Sequence, residues 1–81
     1  MKIHLKVKMF YKNQVEVANA LCKVIDCYWN DELEENVMIE SIKKIFENNK
    51  EKIIKENNYT TIIKQKCGKK RIELIKKIAK I

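Results

Sequence analysis

The chain contains one glycine and no proline in 81 residues. With Gly68 as the lone punctuation mark, turns must be made by other residues, and a glycine-rich phosphate loop is excluded. The single histidine, His4, leaves no paired imidazole for acid–base work. Three cysteines, Cys22, Cys27 and Cys67, form an odd set without C-x-x-C spacing. That argues against a disulfide framework and suits a reducing, cytoplasmic setting. No apolar run approaches the roughly 18 residues of a membrane span. The opening MKIHLKVKMF interrupts its apolar residues with Lys and His, so it lacks the core of a secretory leader.

What is present is charge. Lys and Arg number 18 against 11 acids, a net +7, and one of the 18 is Arg. Abundant Ile, Lys and Asn is the residue usage that AT-rich codons write, so the total matters less than the distribution. Residues 1–40 hold five Lys against seven acids, a net −2; residues 41–81 hold thirteen cations against four Glu, a net +9. The stretch from Asp26 to Glu40 carries six carboxylates and no cation. A basic half of this kind attracts phosphate.

Composition and length place the chain as one small domain. At 46% hydrophobic and 36% charged of both signs it builds a core rather than a disordered tail. A domain of this size buries about 60–65% of its unfolded surface.

Hydrophobic spacing predicts a mostly α, single-domain bundle of four to five helices with an N-terminal β-strand or extended arm over 1–9. Lys2 to Met9 alternates apolar and polar, the period of a half-buried strand. Its partner would be the β-forming Tyr59-Thr60-Thr61-Ile62-Ile63 or a second copy of the chain. Helices are expected over 13–29, 32–48, 50–57, 60–67 and 69–80. Asn13 with Glu16 reads as a capping box for the first, and Asp31 with Glu34 as a cap for the second. Val17, Leu21, Val24, Ile25 and Tyr28 form the first apolar face; Met38, Ile42, Ile45 and Phe46 form the next. Thr60 or Thr61 starts the fourth, and Gly68 ends it in a left-handed conformation. Ile72, Ile75, Ile78 and Ala79 mark the last.

The last third carries the functional expectation. Helix, one-glycine turn, helix is the outline of a helix-turn-helix, although Lys64 and Lys69 stand where small and apolar residues should pack. A basic helical hairpin that grips phosphates without reading bases asks for less. Its residues are Lys64, Lys66, Lys69, Lys70, Arg71, Lys76 and Lys77. Backbone N–H groups opening the helix after Gly68 favour anions, and Arg71 would hold one phosphate with two bonds. No aromatic follows Tyr59, so duplex DNA or structured RNA is a better partner than a stacked single strand.

From Phe10 onward, "FYKNQ", "VIDCYWNDELEE" and "IKKIFENNKEKIIKENNYTTIIKQKCGKKRIELIKKI" resemble a family of short, uncharacterised basic proteins from clostridia and related Firmicutes. The resemblance spans residues 10 to 80 and is most specific over "YTTIIKQKCGKKR". It implies a cytoplasmic protein of AT-rich, Gram-positive origin and implies no activity. "MKIHLKVK" lies outside the shared pattern.

Other chemistries have plainer counterparts. Cys22, Cys27, Cys67 and His4 could be arranged as four zinc ligands, but a five-residue spacing turns Cys22 and Cys27 about 140° apart on a helix. Cys67 beside lysines could be a reactive, low-pKa thiol or simply a helix-end cysteine. Glu34 and Glu35 at a helix start serve its dipole more readily than hydrolysis. The chain is therefore expected to be no enzyme, with no cofactor, no small-molecule substrate and no membrane role. An alternative order, strand then two helices, is that of a ribbon-helix-helix dimer with Lys2, His4, Lys6 and Lys8 reading DNA. The competing class is a protein-interaction module or homodimeric regulator whose lysines are only solvated surface.

Overall fold

A computed structural model describes residues 10–80. The expected strand over 1–9, with Lys2, His4, Lys6 and Lys8, lies outside the described residues.

The first helix, α1 (Gln14–Trp29), starts where its cap dictates. Asn13 is extended (φ −151, ψ 177), and its Oδ1 accepts the Glu16 N–H at 2.9 Å. Glu16 reaches back to the N–H of Lys12, not of Asn13, so the box closes one residue early at 3.4 Å. Val17, Ala18, Leu21, Val24, Ile25 and Cys27 form its buried stripe.

The end of α1 corrects one expectation. Asp31 does not cap the second helix; it is the left-handed residue (φ 61) that closes the first. Its N–H reaches Tyr28 O at 3.0 Å, and the Glu32 N–H reaches Cys27 O at 2.8 Å. Those two bonds are a Schellman closure, with Asp where glycine is usual. An N-cap needs extended backbone, so Asp31 cannot serve both ends. The second helix, α2, runs Glu35–Asn48 from an extended Glu34 that makes no side-chain cap bond. Leu33, 3% exposed, pins the linker into the core.

The helix expected over 50–57 is corrected as well. A single turn, α3 (Lys50–Ile53), gives way to a two-stranded hairpin, β1 (Ile54–Lys55) and β2 (Asn58–Tyr59). Ile54 pairs with Tyr59 and Lys55 with Asn58. Glu56 (φ 53) and Asn57 (φ 65) both sit left-handed, as a two-residue hairpin turn of this hand requires. Tyr59 is therefore strand, but Thr61 to Ile63 are helical, so they supply no strand partner for the N-terminus.

Buried Asn49 anchors the junction of α2 and α3. It accepts the Tyr11 N–H at 3.0 Å and donates to Ile45 O at 2.9 Å. The N-terminal approach is thereby tied to a point 38 residues along the chain.

The last element, α4 (Thr61–Ala79), is two helical arms joined at Gly68. Gly68 takes φ 78, ψ 170. This is not the left-handed helical value expected of a cap but a region only glycine enters freely. The bend is sharp. Along a straight helix residues 59 and 76 would lie about 25 Å apart, yet the Lys76 ammonium sits 6.0 Å from the Tyr59 ring centroid. The arms present Ile63 and Cys67, then Ile72, Ile75 and Ile78, to the core. They close it against α1 and α2, with Phe46 and Tyr59 in edge contact at 6.5 Å. The described chain is thus a small, mostly α bundle with one short hairpin.

Candidate nucleic-acid interface

The seven cations expected to form one surface divide into three groups. Lys69, Lys70, Lys76 and Lys77 are all exposed. With Ile72, Ile75 and Ile78 buried, helical geometry places these four lysines within roughly 120° of one another on the opposite side of the arm. Lys80 continues the same side at the arm's end. Glu73, also exposed, lies amid them and is the arm's one acid.

Lys64 and Lys66 belong to the other arm. They are exposed but flank the buried Ile63–Cys67 line on its two sides, about 160° apart, so they do not share a face.

Arg71, expected to grip a phosphate, is half-buried and paired within the chain. Its Nε and Nη2 both donate to Asp26 Oδ1, at 2.9 and 2.8 Å. Its Nη1 donates to Cys67 O at 2.8 Å, and its guanidinium lies 5.7 Å from the centre of the Trp29 ring. The hydrogen bond from Arg71 to Asp26 chiefly, and the carboxylate's charge with it, raises the Arg71 pKa further, so the cation is held there. One side chain thus joins the acidic first half to the basic second half within a single copy of the chain. It also satisfies a carbonyl next to the Gly68 break.

Two residues beside the basic arm were hidden in the sequence by distance along the chain, Lys43 at its lysine side and Trp29 at Arg71. Lys43 of α2 lines a groove of ≈ 340 Å³ together with Lys77, Lys80 and the apolar Leu74 and Ile78. Trp29 is 48% exposed and sits beside Arg71, so the basic stretch does have an aromatic neighbour. A helical plot of α2 alone shows Lys43 exposed but cannot say which helix it faces.

The remaining candidate chemistry is reshaped by burial. The Cys67 thiol is 1% exposed and its pKa is pushed up to about 12, mainly by desolvation and then by the Cys22 hydrogen bond and charge. A thiol so placed is the reverse of the low-pKa nucleophile that neighbouring lysines suggest. Cys22 Sγ lies 3.5 Å from Cys67 Sγ and 3.5 Å from Lys66 O, and all three cysteines are free thiols. Among the described residues no three His, Cys, Asp or Glu side chains form a metal-binding group, and His4 lies outside them. Glu35 accepts a hydrogen bond from Tyr28 at 3.1 Å, which raises the Tyr28 pKa and leaves the carboxylate a structural task. No described helix is long and apolar enough to cross a membrane.

The chain belongs to a family described as conserved hypothetical protein, CLB_0814_fam, whose profile matches residues 8–80. The match bears out the resemblance to an uncharacterised clostridial family and leaves "MKIHLKV" outside it. No curated protein and no solved structure is significantly similar to the chain.

Proposed function

We propose that this family member is a non-enzymatic, cytoplasmic protein that binds nucleic-acid phosphates through the outer side of residues 69–80. The observation that carries the reading is the segregation of that arm. Ile72, Ile75 and Ile78 face the core, while Lys69, Lys70, Lys76 and Lys77 stand exposed on the other side. Lysines on a helix exchange their hydration and counterions for phosphates spaced along a duplex, and release of those counterions supplies the binding free energy. Lys43 and Lys80 extend the row toward α2. With Arg71 engaged by Asp26, no planar fork remains on this face, so backbone contact is favoured over base reading. Duplex DNA or structured RNA is the expected ligand.

Fluorescence anisotropy with labelled duplex DNA and hairpin RNA at about 50 mM salt tests this. The Lys69→Ala/Lys70→Ala/Lys76→Ala/Lys77→Ala variant should bind at least about a hundredfold less tightly. Glu73→Gln, which removes the arm's acid, should tighten binding by roughly two- to threefold. Equal affinity of the quadruple variant and the native chain would remove this surface from consideration.

A protein-interaction role is the second reading, and exposed Trp29 at 48% with Phe10 at 66% favours it. It separates from the first by its weak dependence on salt.

A further inference from the structure

Cys22 and Cys67 stand 45 residues apart in sequence, yet their sulfurs are in van der Waals contact at 3.5 Å across α1 and α4. A disulfide needs about 2 Å, so the sulfurs must approach by roughly 1.5 Å. Gly68, which follows Cys67 directly, breaks the helix at this point with φ 78, ψ 170. The pair is unequal in access. Cys22 is half-buried, whereas Cys67 is 1% exposed behind it. The Arg71 guanidinium acts electrostatically on both sulfurs, and Asp26 opposes it at Cys67. The third thiol, Cys27, has no sulfur contact with either.

We propose that Cys22 and Cys67 are a redox-active dithiol, which closes to a reversible intramolecular disulfide when a hydroperoxide oxidises Cys22. The Cys22 thiol gives up its proton and its sulfur attacks one peroxide oxygen. An S–O bond forms, the O–O bond breaks, and the other oxygen leaves as hydroxide or alkoxide, which takes up that proton to become water or an alcohol. The Cys67 sulfur then attacks the Cys22 sulfur. The S–S bond forms, the S–O bond breaks, and the departing hydroxide takes up the Cys67 proton as water. Two thiols have lost two electrons, and the peroxide has gained them. Access sets the order: half-buried Cys22 meets the oxidant first, and Cys67, 1% exposed behind it, takes the resolving role. The closed form staples α1 to the corner of α4, beside the arm that carries the lysines.

The inference is independent of nucleic-acid binding and is tested on the full chain without any ligand. Reduced protein is treated with hydrogen peroxide, remaining thiols are alkylated, and intact mass and peptide maps are read. The expected product is a monomer lighter by two hydrogen atoms, with the Cys22 and Cys67 peptides linked and Cys27 alkylated. Dithiothreitol should restore both thiols. The thermal midpoint of the oxidised form should rise by on the order of 10 °C, because the link closes a long loop in the unfolded chain. Cys27→Ser should give the same link. Sulfinic or sulfonic acid at Cys22 with Cys67 still free, a link through Cys27, or disulfide-bonded dimers as the main product would each overturn the inference. The native chain supplies the deciding map, so the result does not depend on how well a Cys67 variant folds.

Discussion

Arg71 joins three parts of the molecule through one planar group: the Asp26 carboxylate of α1, the Cys67 carbonyl at the α4 break and the Trp29 ring. Both charged partners are partly solvated, with side chains 29% and 42% exposed, so the ion pair alone is worth little. The carbonyl bond and the ring contact add to it. Arg71→Ala is expected to destabilise the fold by about 1–2 kcal/mol, and Arg71→Lys by nearly as much, because an ammonium cannot serve three partners at once. Urea unfolding would show this as a lower midpoint at unchanged slope. A midpoint equal to that of the native chain would mean the contacts carry no net free energy.

At Cys67 the sign of the pH dependence follows from burial. Its pKa lies above the ordinary 9.0, near 12, so the folded state holds the proton more tightly than the unfolded chain. This stabilisation is complete below pH 9 and is lost as pH rises from there toward about 12. Tyr59 acts in the same direction, since burial first and the neighbouring Cys67 second raise its pKa above 10.0. The melting temperature should therefore fall across the alkaline range, and less steeply for Cys67→Ala than for the native chain. Parallel curves would assign the fall to other groups. At this scale the sequence was legible for the core positions, since apolar spacing marks burial directly. It was silent on Arg71, because pairing with a residue 45 positions away leaves no local trace.

Among the elements, α1 was readable from both Asn13 and its apolar stripe, while the joints were not. The physical cause is the scarcity of glycine. Left-handed backbone is needed at the end of α1, in the hairpin and at the end of α4, and Asp31, Glu56, Asn57 and Lys80 provide it. None of these residues signals a turn as glycine does, so 50–57 keeps the composition of a helix although it folds as one turn and a hairpin. Gly68 was legible as a break but not in its conformation. Its φ 78, ψ 170 leaves free space where a Cβ would stand, so the cost of Gly68→Ala lies in the backbone. That cost should be about 1–3 kcal/mol, a fall in melting temperature of about 4–8 °C per kcal/mol. An unchanged melting temperature would show that the corner of α4 relaxes without strain.

Over the whole molecule, the polarity read from the sequence takes a more specific form. The Asp26–Arg71 pair joins the acidic half to the basic half, and the remaining described cations are not one patch. Lys64 and Lys66 diverge, and the lysines of residues 69–80 gather with Lys43 near their far end. Candidate residues could be named from the sequence, but their grouping depended on which side of each arm is buried and on the direction of the bend. Total charge cannot distinguish a binding face from a soluble surface; location can.

The most direct test compares the salt dependence of duplex binding for two variants of equal charge, between about 50 and 200 mM salt. One replaces Lys69, Lys70, Lys76 and Lys77 with Ala. The other replaces Lys23, Lys44, Lys50 and Lys55, which are exposed elsewhere. A face that contacts phosphates predicts a slope of log K against log salt reduced by about one per lysine in the first variant and little changed in the second. Equal reductions in both would mean that net charge alone attracts the nucleic acid and that the last arm of α4 is not a binding surface.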